Sequence, residues 1–533
     1  MRQAISRAAW PLFALLALAA AACTDLTETP PGEVTEDNVH PSIGSLVAPA
    51  YTPLRATWMG WYGDLDFQEE TADALLTPVR PNGWYDGGTY IKLHKHQWDA
   101  AQGQPASLWG NAFRGINGIN RIVYQITSGA VPVKDSLKPG LLAELRALRA
   151  YYYSLLLDAF GNVPIVTDFT STDLPQQNTR QQVYDFVVAE LTAALPNLST
   201  AKGKAMYGRM NRWAAEGILA RVYLNAEVYT GTPQYDKVIP LTQAIIDSGG
   251  YKLEAQYRAN FARTNDKSVE IIWQVPYDAI YGTESCFHMK TLKPDLREVL
   301  GLQAQPWGGS SSSPQFIDTY DSTDTRLSDS WLMGKHFTPD STRGYNFVEY
   351  VPRIDSTQFY NGFPVWKYEV YAGETGASDV DYPILRYAEV LMLQAEALLR
   401  TGQADAAALL VTQVRRRAFV GADTAKATVT GTELMQGSGY NYGWYDTDGV
   451  VKTGPGGTPV VNGGADVVDG RFLDELGWEF AAEGHRRQDL IRFGVFTTKT
   501  WFNHVPNGSY RTLFAIPDGA KSTNPNLHQN PGY

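Results

Sequence analysis

Cysteine, positive charge and long apolar runs are all scarce in this chain of 533 residues. There are only two cysteines, Cys23 and Cys286, and with Cys23 acylated Cys286 would have no partner for an internal disulfide, so the core must be held by packing. Lys and Arg number 45 against 56 Asp and Glu, and the net charge of −11 disfavours a nucleic-acid-binding surface. One uncharged apolar run, from Ala8 to Ala22, is shorter than the roughly 20 residues of a membrane-spanning helix. The sequence therefore argues against an integral membrane protein and against a nucleic-acid partner.

Residues 1–22 have the parts of a secretory signal peptide. Two arginines supply the positive end, the apolar run follows, and small residues precede Cys23. A cysteine directly after three alanines resembles the lipobox of bacterial lipoproteins, although that pattern usually has Leu where this chain has Ala20. The resemblance implies lipidation of Cys23, and two or more acyl chains anchor firmly because each buried methylene contributes about 0.8 kcal/mol. The alternative is an ordinary secretory signal with an incidental cysteine.

The rest of the chain divides by composition into a tether and one large domain. Residues 23–39 are acidic and contain prolines, which is typical of a flexible tether, and residues 40–533 are expected to form a single domain. Segments with helical periodicity alternate with insertions rich in Gly, Pro, Ser, Asn, Trp and Tyr, which predict loops. The predicted helical scaffold covers about 108–265, 381–436 and 470–500, and the predicted loop-rich insertions cover about 57–107, 266–380 and 437–469.

The helical segments are predicted to pair as hairpins. Apolar residues recur at steps of three and four from Leu141 to Ala159, and Gly161 is the expected stop. Small residues in the third pair fall where two helices approach closely, a spacing that resembles a tetratricopeptide unit. The predicted pairs are 141–164 with 179–198, 212–229 with 235–251, and two helices within 382–419, followed by a single helix over 470–494. The predicted fold is mainly α, a tetratricopeptide-like scaffold with loop-rich insertions and few short strands, such as 269–275.

Six stretches spread over most of the chain carry a family resemblance. They are ELRALRAYYYSLLLDAFGNVPIV, RMNRWAAEGILARVYL, YPILRYAEVLMLQAEALLRTG, VRRRA, WEFAAEGHRRQDLIRFG and FAIPDGAKSTNPNLHQNPGY. In this order they resemble SusD/RagB-type outer-membrane lipoproteins, the surface partners of SusC-like, TonB-dependent transporters. The resemblance implies four tetratricopeptide units that pack on the transporter, and a loop-rich half that holds oligosaccharide, or peptide in some members, over the transporter's mouth. It implies no catalysis and no cofactor.

The candidate ligand contacts lie in glycine-containing loops that carry aromatic residues. Sugar rings stack on exposed aromatic faces, while carboxylates and guanidinium groups hydrogen-bond the hydroxyls. The strongest candidates lie in a stretch that resembles one bordering the family's glycan site, although Trp84 is as well explained by packing of the loop onto the helices. The predicted ligand-binding residues are Trp84, Tyr85, Asp73, Arg80, Asp86, Trp58, Trp61 and Trp307. A second loop is interpreted either as a further contact or as a cover for the core, and it carries Tyr440, Tyr442, Trp444 and Tyr445.

A glycoside hydrolase is the alternative that would require catalytic carboxylates, because these enzymes use two Asp or Glu residues about 5 to 9.5 Å apart. One run of acids is instead predicted to form a solvated face; it consists of Asp64, Asp66, Glu69, Glu70 and Asp73. A second charged group is predicted to tie the scaffold together and consists of Glu483, His485, Arg486, Asp489 and Arg492.

Metal binding is not expected from the histidine pattern. His94 and His96 are predicted to point to opposite faces of a strand, with no third ligand near them in sequence. The C-terminal stretch NPNLHQNPGY cannot form a regular element, so we expect its side chains to pin it to the body by hydrogen bonds.

Replacing Cys23 with serine is expected to release the protein from membranes in soluble form. Serine has no thiol to carry the lipid, so the anchor is lost while the body is unchanged. Fractionation of lysed cells by ultracentrifugation, followed by immunoblotting, measures the distribution. The Cys286→Ser variant is the matched control and should remain in the membrane pellet, and a Cys23→Ser variant that also stays there would contradict lipid anchoring.

Overall fold

The computed structural model describes residues 42–81, 85–443 and 463–533. Of the residues described, those from 47 onward belong to one compact unit. The predicted signal peptide, Cys23 and the predicted tether lie outside the described residues, as do Trp84, Trp444 and Tyr445. None of the helices in the described part of the chain is long and apolar enough to span a bilayer.

Helices dominate the described residues, and the strands are short. In chain order the helices of the first half are α1 (Ile43–Tyr51), α2 (Pro53–Trp58), α3 (Asp64–Glu70), α4 (Thr89–His94), α5 (Gly103–Thr127), α6 (Lys138–Phe160), α7 (Arg180–Ala194), α8 (Arg212–Leu224), α9 (Ala226–Thr230) and α10 (Val238–Ala244). Those of the second half are α11 (Phe287–Thr291), α12 (Leu296–Leu300), α13 (Pro314–Ile317), α14 (Thr325–Ser330), α15 (Tyr387–Arg400), α16 (Ala404–Arg415), α17 (Gly431–Leu434), α18 (Gly470–Phe480), α19 (Arg486–Arg492) and α20 (Asp518–Thr523). The strands are β1 (Leu75–Leu76), β2 (Ile271–Val275), β3 (Ser311–Ser312), β4 (Gly334–Phe337), β5 (Gly344–Phe347) and β6 (Tyr382–Arg386), paired antiparallel as β1–β3, β2–β6 and β4–β5.

The predicted helical hairpins are confirmed where the periodicity is strongest. Helix α6 ends at Gly161, whose φ of 69° an L-residue rarely adopts. Its partner α7 begins with a capping box, in which Thr179 and Gln182 satisfy each other's backbone N–H groups. Helices α15 and α16 form the third predicted pair and contact each other along their length. These hairpins build the mainly α scaffold that the sequence predicts.

The single helix predicted over 470–494 is wrong, because the chain breaks it into α18 and α19. Ala482 and Gly484 take positive φ values of 58° and 76° between the two helices. The break frees carbonyl groups for buried partners: Lys367 Nζ donates to Ala481 O at 2.7 Å, and Tyr368 Oη donates to Ala482 O at 2.9 Å. Burying these donors without acceptors would be costly. The break between the two helices supplies the backbone carbonyl groups that accept their hydrogen bonds.

Two predictions of local structure near strands also need correction. The strand predicted within 269–275 is confirmed as β2, but the helix predicted from residue 382 begins only at Tyr387. The five residues before it form β6, which pairs with β2 and is buried throughout. Conversely, the strand predicted around His94 and His96 is wrong, because His94 ends helix α4 and His96 follows with a φ of 50°.

The C-terminal segment is pinned by side-chain hydrogen bonds, as predicted. Asn530 Nδ2 donates to Phe160 O at 2.9 Å and to Phe514 O at 2.8 Å. At the start of the segment, Asn524 Nδ2 donates to Pro175 O at 2.9 Å. The tail therefore closes the end of α6 without any regular element.

A network of buried ion pairs joins β6 to the end of α18. Arg386 is fully buried, and its guanidinium reaches Glu479 Oε1 at 2.7 Å, Glu483 Oε2 at 2.8 Å and Glu270 Oε1 at 2.9 Å. Burial alone would raise the pKa of Glu479, but Arg417, Arg386 and Arg326 hold it below its usual range. Because charges in the interior are tolerated only when paired, each member of this network fixes the others.

The Arg386→Ala variant is expected to lose about 3 to 5 kcal/mol of unfolding free energy, because it removes the one cation that Glu270, Glu479 and Glu483 share and leaves the buried cluster short of positive charge. Urea denaturation followed by circular dichroism measures the change. The Lys138→Ala variant serves as the control, since it removes only the exposed pair with Asp135 and should cost less than about 1 kcal/mol. Equal losses in the two variants would show that the network contributes no more than a surface pair.

Candidate functional site

Three aromatic side chains from two distant segments form an exposed group, here called the aromatic platform: Trp61, Tyr62 and Trp307. The ring centroids of Trp61 and Trp307 lie 5.2 Å apart with their planes at 73°, and those of Trp61 and Tyr62 lie 5.4 Å apart. Trp61 is 46% exposed, and the other two rings are half-buried. The predictions for Trp61 and Trp307 were made from separate stretches of sequence, and the structure places the two side by side.

A tight turn between α2 and α3 positions the first two rings. Tyr62 adopts a left-handed conformation with a φ of 56°, which is unusual for a residue with a bulky side chain. Gly63 follows, and a Cβ there would come within 2.4 Å of Trp58 O, so only glycine fits the turn. The ring of Tyr62 lies over Gly103 at the start of α5, where a Cβ would meet it at 2.7 Å. Larger residues in place of Gly63 or Gly103 would therefore displace the backbone of the turn or the ring of Tyr62.

Short backbone links hold Trp307 against helix α11. Trp307 N donates to Met289 O at 2.7 Å, and Gly309 N donates to Lys290 O at 2.7 Å. The Lys290 ammonium lies 4.2 Å from the ring centroid of Tyr90, whose ring stands 6.4 Å from that of Tyr62. A cation–π contact thus connects the support of Trp307 to the rings beneath the platform.

Asp86 contacts the platform, and Tyr85 precedes it in the chain. Tyr85 is 57% exposed, and its hydroxyl oxygen lies where a Cβ on Gly88 would approach to 3.0 Å. Asp86 Oδ2 accepts a hydrogen bond of 2.7 Å from Tyr62 Oη. Burial, and then this carboxylate, raise the pKa of Tyr62 to about 12, so its hydroxyl stays protonated at neutral pH. Of these two predicted contacts, Tyr85 therefore offers an accessible ring and Asp86 a carboxylate that is hydrogen-bonded to the platform.

Three of the predicted contacts lie inside the protein with complete sets of partners. Asp73 is fully buried in a two-point ion pair with Arg486, at 2.6 and 2.9 Å. Arg80 is buried against carbonyl groups, including Asn361 O at 2.9 Å, and burial lowers its pKa to about 9. Trp58 stacks on Tyr382 at 4.8 Å and is 4% exposed. We assign these three residues to the support of the site rather than to its surface.

The loop interpreted as a further contact or a cover is a cover where the structure describes it. Tyr440 and Tyr442 are fully buried and stack on each other with ring centroids 4.3 Å apart. Tyr442 Oη donates to Asp73 Oδ2 at 3.0 Å, so this pair also braces the Asp73 ion pair.

The run of acids predicted as a solvated face is instead buried, and that prediction is wrong. The side chains of Asp64, Asp66, Glu69, Glu70 and Asp73 all lie inside the protein. Distant segments supply their partners: Lys290 Nζ pairs with Asp66 and lies 3.0 Å from Glu70 Oε1, and Gly484 N donates to Glu69 Oε1 at 2.7 Å. These carboxylates therefore face no open cleft. The second charged group does tie the scaffold, as predicted, with Arg492 Nη2 at 2.7 Å from both Asp489 Oδ1 and Glu396 Oε2.

The two predicted histidines lie in one buried cluster with His504. His94 Nε2 donates to Phe502 O at 2.6 Å, and His96 Nε2 donates to Thr71 O at 2.8 Å. Burial lowers the pKa of His94 to about 4 and that of His96 to about 3, so both rings are neutral. Within the described ranges no group of histidine, cysteine and acidic side chains has the arrangement of a metal site.

Sequence reasoning missed two exposed or half-exposed tyrosines. Tyr62 is not among the predicted contacts, although it directly follows Trp61 and both precede Gly63. Tyr281 is 86% exposed at the tip of a turn in which Asp278 Oδ1 accepts from the backbone N–H groups of Ile280 and Tyr281, each at 2.8 Å. An aromatic residue next to Gly282 in an Asp-initiated turn is the signal that would have found it.

The fold and the platform define a class of protein: a helical-hairpin scaffold that carries exposed aromatic rings on its inserted loops. The chain belongs to the SusD family, whose profile matches residues 248–533. A second profile, described as starch-binding and associating with the outer membrane, matches residues 66–224.

Individual relatives agree with this assignment. The chain is similar to the starch-binding protein SusD of Bacteroides thetaiotaomicron, with 28% identity over 73% of this chain and 72% of the relative. It is also similar to a SusD-like protein of Bacteroides ovatus, with 23% identity over 82% of this chain and 81% of the relative.

Solved structures show the same fold. A laminarin-binding SusD-like protein matches with a TM-score of 0.69 at 19% identity, covering 92% of this chain and 99% of the other. Surface glycan-binding protein A from Bacteroides thetaiotaomicron, in complex with laminarihexaose, matches with a TM-score of 0.67 at 19% identity, covering 92% and 98%. At these identities the likeness concerns the fold.

The Asp64→Asn variant is expected to gain stability over the wild type as pH rises. Burial, and then nearby Asp158, raise the pKa of Asp64 to about 8, and its Oδ2 has no hydrogen-bond partner among the described residues. The folded wild type therefore holds a proton that the unfolded chain releases near pH 4, so its stability falls as pH rises from about 4 to about 8. Asparagine has no such proton, and the gain at pH 8 should be on the order of 1 to 3 kcal/mol.

Urea denaturation of both proteins at pH 5 and pH 8 measures this difference. The Asp236→Asn variant, which changes an exposed aspartate, should show no pH-dependent difference from the wild type. A difference between Asp64→Asn and wild type that is the same at both pH values would contradict the raised pKa.

Proposed function

We propose that this protein is a surface-exposed outer-membrane lipoprotein that captures oligosaccharide on the aromatic platform. The observation that carries the proposal is the pair Trp61 and Trp307, two rings from distant segments held 5.2 Å apart at the surface. Sugar rings present C–H faces that stack on aromatic faces, and stacking is favourable because it removes apolar area from water. Asp86, bonded to Tyr62, supplies a hydrogen-bond acceptor at the edge of the same surface.

The geometry of the platform restricts the shape of the ligand. The planes of Trp61 and Trp307 stand at 73° to each other, so a flat chain cannot lie face-on against both rings. A bent chain can place successive sugar units on the two faces. Tyr85 and Tyr281, whose rings are exposed, are proposed as additional contacts, together with Trp84.

The relatives support a glycan ligand and an outer-membrane location. One relative is named as starch-binding, one structural neighbour as laminarin-binding, and one family description refers to the outer membrane. Lipidation of Cys23 is the proposed anchor, and a SusC-like, TonB-dependent transporter is the proposed partner that receives the glycan. The proposed action is capture and delivery without bond cleavage, since the acidic run near the platform is buried in structural contacts.

Replacing Trp61 or Trp307 with alanine is expected to weaken glycan binding by about 1 to 3 kcal/mol, the loss typical of an anchoring aromatic. Isothermal titration calorimetry with maltooligosaccharides and with laminarihexaose measures the affinity. Trp61 is already exposed, so its removal should leave the thermal unfolding temperature nearly unchanged.

The Phe337→Ala variant is the matched control, because it removes an aromatic ring of similar exposure from the β4–β5 hairpin. It should bind as the wild type does. Wild-type protein that binds a peptide library but none of the glycans, or glycan affinity that survives loss of both tryptophans, would reject the proposal.

A further inference from the structure

A cavity of about 220 Å³ lies outside the aromatic platform. The loop before α8, the residues that follow the π-helical turn Ile245–Gly249, and strand β2 enclose it. Of the residues that the structure describes, those lining the cavity include none from the platform. Three aromatic residues are among those that line it, namely Tyr207, Tyr251 and Trp273.

The cavity wall is fixed by hydrogen bonds that begin at Asn211. This buried residue caps helix α8 by accepting from Ala214 N at 2.9 Å, and its Nδ2 donates to Tyr251 Oη at 3.1 Å. Lys202 lies over the ring of Tyr251 at 5.0 Å and donates to Gly250 O at 3.1 Å. The wall is therefore preformed, as is usual for small-molecule sites.

The inner face of the cavity rests on the protein core. Trp273 is buried, its Nε1 donates to Gly208 O at 3.3 Å, and its ring meets that of Tyr151 edge-on at 4.6 Å. Tyr207 Oη donates to Asp381 Oδ2 at 2.6 Å, which orients a half-exposed ring at the entrance. Both rings are held in place before any ligand arrives.

Several polar groups of the cavity have bonding capacity left over. The exposed carboxylate of Asp266 makes no hydrogen bond or ion pair with any residue that the structure describes. Gln274 Nε2 donates to Asp381 Oδ2 at 3.2 Å, and its Oε1 receives no hydrogen bond from the described residues. Tyr251 Oη accepts from Asn211, and no described residue accepts its proton. Two acceptors and one donor thus belong to residues that line the cavity.

This combination selects for a small neutral ligand that is rich in hydroxyl groups. Lys202 and Asp266 balance each other, so the lining favours neither an anion nor a cation. A purely apolar ligand would leave the buried Gln274 without a partner for its Oε1, which is costly. Since a water molecule occupies about 30 Å³ of liquid, the cavity has room for a ligand the size of one sugar ring.

We propose that this cavity is a second glycan site, which takes one neutral sugar residue, either free or at the end of a chain. The inference rests on the proposed glycan-binding function and adds a site that acts independently of the platform. A chain long enough to reach both sites gains avidity, because the second contact is made within one complex.

Saturation-transfer-difference NMR with D-glucose, D-galactose, D-mannose and D-xylose at millimolar concentration tests the site. The wild type and the Trp61→Ala/Trp307→Ala double variant should both transfer saturation to at least one of these sugars. The Asp266→Asn variant should bind that sugar about tenfold or more weakly, and Val269→Trp, which fills the cavity from its exposed rim, should abolish binding. Asp236→Asn is the matched control and should behave as the wild type does.

Each outcome separates the two sites. Loss of sugar binding in the double tryptophan variant, with binding kept in Val269→Trp, overturns the cavity site and leaves the platform proposal standing. The cavity site is likewise overturned if the wild type binds oligosaccharide but transfers saturation to none of the four monosaccharides. Sugar binding that survives loss of the tryptophans and disappears in Val269→Trp supports the second site even if the platform proves not to bind.

Discussion

The buried guanidinium of Arg386 is the constraint on which the central part of this structure depends. It holds carboxylates from the segment before β2 and from α18 and the break that follows it, and each of these would be costly to bury alone. Two successive contacts connect this cluster to the exposed site. Tyr382 Oη donates to Glu483 O at 2.7 Å, and Trp58 stacks on Tyr382 three residues before the exposed Trp61. The position of the platform therefore follows from charge pairing inside the scaffold.

The sequence predicted the helical hairpins well, because their periodicity and caps are local properties. The helical pattern also distinguishes the buried Trp58 from the exposed Trp61, once the end of α2 is known. Trp58 follows Leu54 by one helical turn and shares its buried face, whereas Trp61 comes after the helix has ended. That distinction requires knowing the last residue of α2, and helix ends are the part of a prediction that pattern alone defines least.

The burial of the acidic run could not be predicted from the sequence. Asp73 is neutralised by Arg486, which lies 413 positions away, and Lys290 reaches Asp66 across 224 positions. A run of acids normally faces water, and only tertiary contacts reverse that preference. The contact between Trp61 and Trp307 could not be predicted either. The sequence indicates each residue as a candidate, but their contact depends on how two distant loops pack together.

The turn at Gly63 has a consequence for how such a protein can evolve. It fixes the path of the backbone through contacts with Trp58 O, while the side chain of Trp61 makes up much of the exposed surface. Replacing an exposed side chain at a fixed backbone position alters what the surface recognises and leaves the fold intact. Substitutions at Trp61 can therefore change the chemistry of the exposed surface while the scaffold is kept, whereas substitutions in the buried charge network destabilise the fold whatever the surface carries.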